Sequence, residues 1–342
     1  MKRYIFRAAK TLIGCIIVFG VVLAAGSPAS ADPAGPTDYS SEVTTIEPPV
    51  SGVEFGVVGG DAFVYVKTEP GVVVEVLGYR AEPYLRIEAD GTVNRNELSP
   101  TRWLSEERYG NETPPQADHE APPQWVKIAN NGEHFWHDHR AHWMNPSRPP
   151  GAEAGDLILE AVIPVVVDGV GADVEVRSFL LASPTAPWPA ALAGALLGLL
   201  VMVLALRQGA SATAVALAVW SVLAAVVGVW GYYSVPAATG PSIMLWAPAV
   251  VAGIAAGIAV WFKQSRPRDQ TLTLVFIIAV ASVELLWWSW GRRYGITSAY
   301  IPTNAPYWAE RSVTAGAGAA AVVALVGGMV WLRPGPLPSR TR

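Results

Sequence analysis

The chain is almost without cysteine, since a single one, Cys15, occurs in 342 residues. Cys15 falls inside an N-terminal segment with the pattern of a signal peptide, so the sequence predicts a mature chain without thiols, disulfides or cysteine metal ligands. Charged residues are also scarce, at 15% of the chain against 51% hydrophobic residues. This composition is too apolar for an ordinary soluble protein and indicates a membrane protein.

The first 31 residues predict a signal peptide. A basic region with Lys2, Arg3 and Arg7 precedes an apolar core over 11–25, and Ala29-Ser30-Ala31 forms a small-x-small cleavage pattern. The predicted mature chain therefore begins at Asp32.

Charge is distributed unevenly along the chain. Residues 1–31 carry a net charge of +4, residues 32–186 carry −15, and residues 187–342 carry +7. A strongly acidic exported domain repels other polyanions, which argues against nucleic acid and anionic lipid as its partners.

The exported part divides into a linker and a β-domain. Residues 32–49 are rich in Pro, Ser, Thr and acidic residues, and predict a flexible linker. From residue 50 onward, short runs of β-branched and aromatic residues alternate with turns, and after Ser99-Pro100 one or two helical turns are expected through about Tyr109. The pattern over 50–183 predicts an all-β sandwich of immunoglobulin-like or cupredoxin-like architecture.

The remainder, 184–334, predicts a bundle of five transmembrane helices followed by a cytoplasmic tail at 335–342. The apolar blocks are about 188–206, 212–233, 241–262, 271–290 and 312–332. Seven basic residues fall in the predicted inner segments and three in the outer ones. By the positive-inside rule, the protein is predicted to be a multi-pass protein of the cell membrane with the β-domain outside and the C-terminus in the cytoplasm.

One short stretch concentrates most of the chemistry. Four of the five histidines lie within nine residues, and a methionine follows them. Imidazole suits copper and zinc, and a nearby thioether favours copper, with zinc as the weaker choice. The candidate ligands are His134, His137, His139, His142 and Met144, while Asp138 and Arg140 are candidates to orient the ligating rings.

The same residues also fit a polar network without metal, in which Asp138 pairs with Arg140 and the imidazoles bind backbone groups. The domain would then be an interaction or assembly module for an exported protein partner. Its candidate partner-binding residues combine the turn after residue 78 with two tryptophans: Tyr79, Glu82, Tyr84, Arg86, Trp136 and Trp143. Glu82 and Arg86 also fit a simple pair across a hairpin. No serine nucleophile motif accompanies the histidines, so no enzymatic activity is predicted.

Glu284 lies within the fourth apolar block. Acidic residues inside membrane segments are energetically expensive and often functional, which makes Glu284 a candidate intramembrane site. Arg292 and Arg293 lie about two turns further along, so a structural ion pair or a snorkelling position is the alternative.

Several segments carry a resemblance to known proteins. They are 76–79, 82–86, 99–100, 108–110 and 123–125, and most specifically the segment Trp136-His137-Asp138-His139-Arg140-Ala141-His142-Trp143-Met144. They resemble a family of actinobacterial-type membrane proteins with a signal peptide, an exported domain and C-terminal transmembrane helices. The resemblance implies this domain design and assigns no catalytic residue.

The sequence thus leaves two hypotheses. The first is a membrane-anchored exported domain that binds a transition metal, copper before zinc, for metal handling or delivery. The alternative is a membrane-anchored interaction module with a structural network of His, Trp, Asp and Arg.

Overall fold

The structure, a computed structural model, describes residues 32–110, 112–145, 147–184, 187–265 and 271–330. Within these ranges the N-terminal half contains ten β-strands and one short helix, α1 (Pro100–Leu104). The strands are β1 (Tyr39–Glu47), β2 (Val53–Val58), β3 (Phe63–Thr68), β4 (Val74–Leu77), β5 (Pro83–Ile87), β6 (Val93–Asn96), β7 (Trp125–Ala129), β8 (Glu133–Trp136), β9 (Leu157–Val167) and β10 (Val170–Leu180). The predicted signal peptide, with Cys15, and the predicted tail at 335–342 lie outside the described residues.

The strands form two antiparallel sheets that share one core. The larger sheet has seven strands in the order β1-β10-β9-β4-β5-β6-β7, and the smaller has three in the order β2-β3-β8. Alternate side chains of both sheets, such as Val64 and Val66 of β3 and Val74 and Val76 of β4, are fully buried in the same cluster. Burying each such side chain contributes about 1.5–3 kcal/mol, so this cluster stabilises the association of the two sheets.

The turn between β9 and β10 follows directly from the sequence. Asp168 and Gly169 both have positive φ, at 48° and 84°. Two consecutive residues with positive φ form the turn that matches the twist of a two-residue β-hairpin, and Asp-Gly is a favoured pair for it. The structure confirms antiparallel strands on either side of this turn.

Two local predictions differ from the structure. Residues 39–47 of the predicted linker form β1, which pairs along its whole length with β10. The predicted helix after Ser99 ends at Leu104 rather than near Tyr109. Ser99 occupies the expected cap position, but its hydroxyl donates to the carboxylate of Glu82, 2.7 Å away, instead of capping the helix.

The C-terminal half is helical: α2 (Pro187–Gln208), α3 (Ala210–Tyr232), α4 (Ala247–Ser265), α5 (Thr271–Gly291) and α6 (Tyr307–Val330). Among the described residues, four helices, α2, α3, α5 and α6, are long and apolar enough to cross a membrane. The apolar part of α4 is shorter, at Ala247–Lys263. The third predicted block loses its first residues because Ile243–Leu245 forms a 3₁₀ turn capped by the Ser242 hydroxyl.

Small residues bring α2 and α6 together. A Cβ added to Gly194 would lie 2.0 Å from the carbonyl oxygen of Ser312, and one added to Gly198 would lie 2.2 Å from that of Gly316. The glycine pair with the same spacing on α4 differs, since a Cβ on Gly253 would make an ordinary contact with Ser221 and one on Gly257 would meet nothing within 4 Å. The close approach of α2 and α6 therefore depends on Gly194 and Gly198.

The β-domain also contacts the helical half directly. Thr37 and Tyr300 exchange two backbone hydrogen bonds of 3.1 and 2.9 Å, and the Asp38 carboxylate accepts one from the Ala299 amide at 2.8 Å. Residues 32–38 thus run between the β-domain and the loop that joins α5 to α6.

Candidate functional site

The histidine stretch begins on a strand and continues as a loop. Glu133–Trp136 forms β8, where His134 lies opposite Val66 and Trp136 lies opposite Val64 of β3. After Trp136 the chain leaves the sheet. Irregular backbone therefore carries His137, His139 and His142, which follow neither the alternation of a strand nor the spacing of a helix.

Asp138 and Arg140 form the buried centre of this loop. The Asp138 carboxylate accepts hydrogen bonds from the Trp136 indole at 2.9 Å, and from Nε and an Nη of Arg140, each at 2.8 Å. Arg140 also donates to the carbonyl oxygen of Leu77 and lies over the ring of Tyr79. Burial alone raises the pKa of Asp138, but the guanidinium and these hydrogen bonds outweigh it and hold that pKa below its usual range. The predicted Asp138–Arg140 pair is therefore present.

His137 is occupied at both ring nitrogens. Nδ1 lies 2.6 Å from the carbonyl oxygen of Ala62, Nε2 lies 2.8 Å from that of Asp32, and the ring stacks on Phe63 at 4.2 Å. Burial lowers the pKa of His137, although the two carbonyl groups act in the opposite direction. A neutral imidazole donates from only one of these nitrogens. Because the side chain is buried and each nitrogen faces a backbone carbonyl oxygen, neither has an open coordination position, and His137 is a structural residue.

His142 and His139 lie side by side, with ring centroids 5.5 Å apart. Nε2 of His142 is 2.5 Å from the carbonyl oxygen of Arg108, while its buried Nδ1 has no hydrogen-bond partner within the described ranges. Burial lowers the pKa of His142 to about 3, and the Arg108 charge adds to the effect. The His139 ring stacks on Tyr79, and its backbone amide donates to the Tyr79 hydroxyl at 2.9 Å.

The predicted ligands do not converge on one point. His134 stacks on Trp136, and burial lowers its pKa to about 4. In the part of the chain that the structure describes, no group of three or more His, Cys, Asp or Glu side chains is placed to hold a metal ion. His139, His142 and Met144 do line one depression together.

The end of the loop is exposed and forms an open cleft around Trp143. Two depressions of about 460 and 430 Å³ meet at this residue. The indole of Trp143 is fixed because its Nε1 donates to the carbonyl oxygen of Ser147 at 2.9 Å. Met144 and Leu157 are 37% and 46% exposed. We call this surface the Trp143 cleft; its lining is His139, His142, Trp143, Met144, Asn145 and Leu159 on one side and Pro149, Pro150, Gly151, Ala152, Asp156, Leu157 and Ile158 on the other.

Most of the other predicted partner-binding residues are buried instead of exposed. Glu82 accepts hydrogen bonds from the hydroxyls of Ser99 and Thr101, both at 2.7 Å. Burial raises its pKa, but these hydrogen bonds prevail and lower it. Tyr84 and Trp136 belong to the core, and the Tyr79 hydroxyl lies within hydrogen-bonding distance of the Ser105 hydroxyl. Glu82, Tyr84 and Trp136 are therefore not available as a contact surface, and the half-buried ring of Tyr79 is covered by His139 and Arg140.

Arg86 and Trp143 remain accessible from that set. Arg86 pairs with Glu75 and Glu88 rather than with Glu82, which corrects the expected hairpin pair. The composition of the turn after residue 78 suggests a recognition surface, but Glu82 binds groups inside the domain. These groups belong to a segment 17–19 residues later in the chain, so the sequence of the turn alone does not reveal them.

Two buried ion pairs in the structure are not predicted from the sequence. Arg108 binds the carboxylate of Asp61, which is fully buried beside the turn before β3. Arg292 binds Glu310, with Nε 2.6 Å from Oε1. The sequence gives a weak indication of a role for Glu310, because it is an acidic residue next to an apolar block. Asp61 has no such indication, since its sequence neighbours are those of an ordinary turn.

These features define the class of protein. A helical part with four described helices suited to crossing a membrane is joined to a domain of antiparallel β-sheets that carries a buried His-Asp-Arg network. Comparison with protein-family models, with curated proteins and with solved structures finds no match to this chain.

Proposed function

We propose that this protein is a membrane-anchored interaction module, whose β-domain binds an exported protein partner at the Trp143 cleft. The proposal includes an immunoglobulin-like or cupredoxin-like sandwich outside the cell, α4 as a fifth membrane span, and a cytoplasmic C-terminus. The observation that carries it is the fixed, accessible tryptophan between two depressions.

The buried network supports this role. Asp138, Arg140 and His137 tie the loop to Leu77, Ala62 and Asp32. A loop held at several points loses little conformational entropy on binding, which favours affinity. A rigid tryptophan flanked by methionine and leucine has the composition of a binding hot spot.

Charge favours a basic partner. Residues 32–186 carry a net charge of −15. Complementary charge accelerates encounter and disfavours acidic competitors. We therefore expect the bound segment to be apolar at its centre and positively charged around it.

Site-specific photo-crosslinking tests the module in the full chain in its native membrane. A photoreactive residue in place of Met144 should give one defined crosslinked protein, and the same residue at Val126, which is exposed on β7, should not. Adding Trp143→Ala should lower the yield about tenfold or more, since hot-spot residues contribute about 2 kcal/mol or more. Equal crosslinking from positions 144 and 126 would contradict the proposal.

Metal binding remains a second candidate, because His139, His142 and Met144 line the same depression. Two imidazoles and a thioether suit copper, with zinc as the weaker choice. This ligand set is smaller than the one predicted from the sequence. It omits His137, whose ring nitrogens face backbone carbonyl oxygens, and His134, which packs against Trp136.

Metal titration of the full chain in detergent tests this candidate. If it holds, one copper ion binds with submicromolar affinity, and His139→Ala with His142→Ala weakens binding at least 100-fold. His119→Ala, which alters a histidine outside the stretch, should leave the affinity unchanged. Copper and zinc affinities no tighter than micromolar would exclude this function.

A further inference from the structure

Glu284 is a buried carboxyl group in the membrane-competent helix α5. It is only 6% exposed and shares the buried face of the helix with Ala281 and Trp288. At 1.5 Å per residue it lies roughly 10 Å from the end of α5 that faces the β-domain, and roughly 20 Å from the other end.

The ion pair that the sequence offered as an explanation of Glu284 is not formed. Arg292 instead binds Glu310 and lies over the ring of Trp288, 5.1 Å from its centroid. Within the residues that the structure describes, Glu284 has neither a hydrogen bond nor a salt bridge. The neighbouring helices carry few ionisable groups, and these lie toward the helix ends: Tyr232 on α3, Lys263 on α4, and Tyr307, Glu310 and Arg311 on α6.

An unpaired ionised carboxylate in an apolar surrounding is strongly unfavourable, so such a group takes up a proton instead. Glu284 is a poor binding site for a hard metal cation, because such a cation requires several oxygen donors and Glu284 supplies two. We propose that Glu284 is a proton-binding site within the membrane, and that it exchanges its proton with the compartment that contains the β-domain.

The side of access follows from what lies above and below Glu284. Glu284, Trp288 and Arg292 follow one another at four-residue steps, so they lie along one face of α5. Arg292 and Glu310 line a cavity of about 80 Å³ at the β-domain end, which Pro33 and Ala34 help to enclose.

Polar groups continue from this cavity into the bundle. Glu310 Oε2 and, one turn deeper on α6, Thr314 Oγ1 are buried and lack a partner among the described residues. In the other direction, the stretch 274–281 is wholly apolar, from Leu274 to Ala281. Buried hydroxyl groups on that side, such as those of Ser282 and Ser221, already donate to carbonyl oxygens of their own helices. Among the described residues of the helical half, the buried polar atoms that lack a partner therefore lie on the β-domain side of Glu284.

The first test uses dicyclohexylcarbodiimide, an apolar reagent that modifies protonated carboxyl groups. In the full chain in detergent at pH 8, Glu284 should be modified at least tenfold more than any other carboxyl group, as read by peptide mass spectrometry. The exposed Glu160 is the internal control, and Glu284→Gln, a neutral substitution of the same shape, should abolish the modification while thermal stability stays unchanged.

Absence of modification at Glu284 would overturn the proposal, as would modification lost above pH 5, where an ordinary glutamate ionises. Trp143→Ala should be modified like the unaltered chain, so failure of the proposed partner binding and failure of this proposal are distinguishable.

The second test concerns sidedness. In liposomes whose β-domain is accessible to added protease, the pH is raised on one side at a time. Modification of Glu284 should fall at least threefold when the β-domain side is made alkaline, and should not change when the opposite side is. Ala34→Trp, which fills the cavity entrance, should slow this response. Dependence on the opposite compartment would overturn the proposal.

Discussion

Replacing Asp138 by alanine is expected to lower the free energy of unfolding of the β-domain by about 3–5 kcal/mol. The substitution removes the partner of Arg140, whose guanidinium is largely buried beneath the loop. The Trp136 indole N–H also loses its acceptor in the core. A buried charge without a counter-ion carries its full desolvation cost, which is why one-sided removal is so damaging. Thermal and chemical unfolding of the full chain in detergent, followed by tryptophan fluorescence, measures the effect.

The matched control is Glu160→Ala. Glu160 pairs with Arg177 at the same distance of 2.8 Å, but the side chains are 48% and 41% exposed. Exposed pairs of this kind contribute about 1 kcal/mol or less. If Asp138→Ala destabilises the domain no more than Glu160→Ala, the network is not structural. Replacing both Asp138 and Arg140 by leucine should recover part of the loss, because the buried charge is then absent.

Gly194→Ala and Gly198→Ala are expected to destabilise the helical part by about 1–3 kcal/mol each. Either added methyl group would overlap a backbone carbonyl of α6, at 2.0 and 2.2 Å, so α2 and α6 must move apart. In an apolar surrounding, close packing is the main attraction between helices, and these substitutions remove part of it. Thermal unfolding of the full chain in detergent, scored by the midpoint and by size-exclusion profile, measures the loss.

Gly257→Ala is the control for this prediction. The new methyl group at residue 257 meets nothing within 4 Å, and alanine favours a helix by up to about 1 kcal/mol over glycine. The substitution should therefore be neutral or slightly stabilising. Equal destabilisation by Gly194→Ala and Gly257→Ala would show that the close packing at Gly194 does not govern the effect.

Local sequence patterns predict the elements of this protein well where each element carries its own signal. The β-branched runs from Val53 onward appear as strands, and four apolar blocks appear as helices of membrane length. The prediction of a linker is wrong at Tyr39–Glu47, because the partner strand β10 lies about 130 residues later. A Ser- and Thr-rich segment next to prolines has the composition of a linker, and only the free edge of the larger sheet makes it a strand.

The candidate site is predicted in composition and not in geometry. The pairing of Asp138 with Arg140 is local and could be anticipated. The roles of His137 and His142 depend on the carbonyl groups of Ala62, Asp32 and Arg108, which are distant in sequence. Since backbone carbonyls carry no residue identity, no sequence pattern distinguishes these histidines from metal ligands. The same limit applies to Arg292, whose nearest acid along the helix is Glu284 but whose partner is Glu310.

The bridge between Thr37 and Tyr300 limits how the β-domain can move. The domain is joined to α2 by the chain after β10, and the bridge adds a second attachment at the loop that joins α5 to α6. A body held at one point swivels freely, whereas a body held at two points retains rotation about a single axis only. If the Trp143 cleft binds a partner as proposed, this second attachment restricts the orientations in which the cleft meets that partner and so reduces the entropy lost on binding.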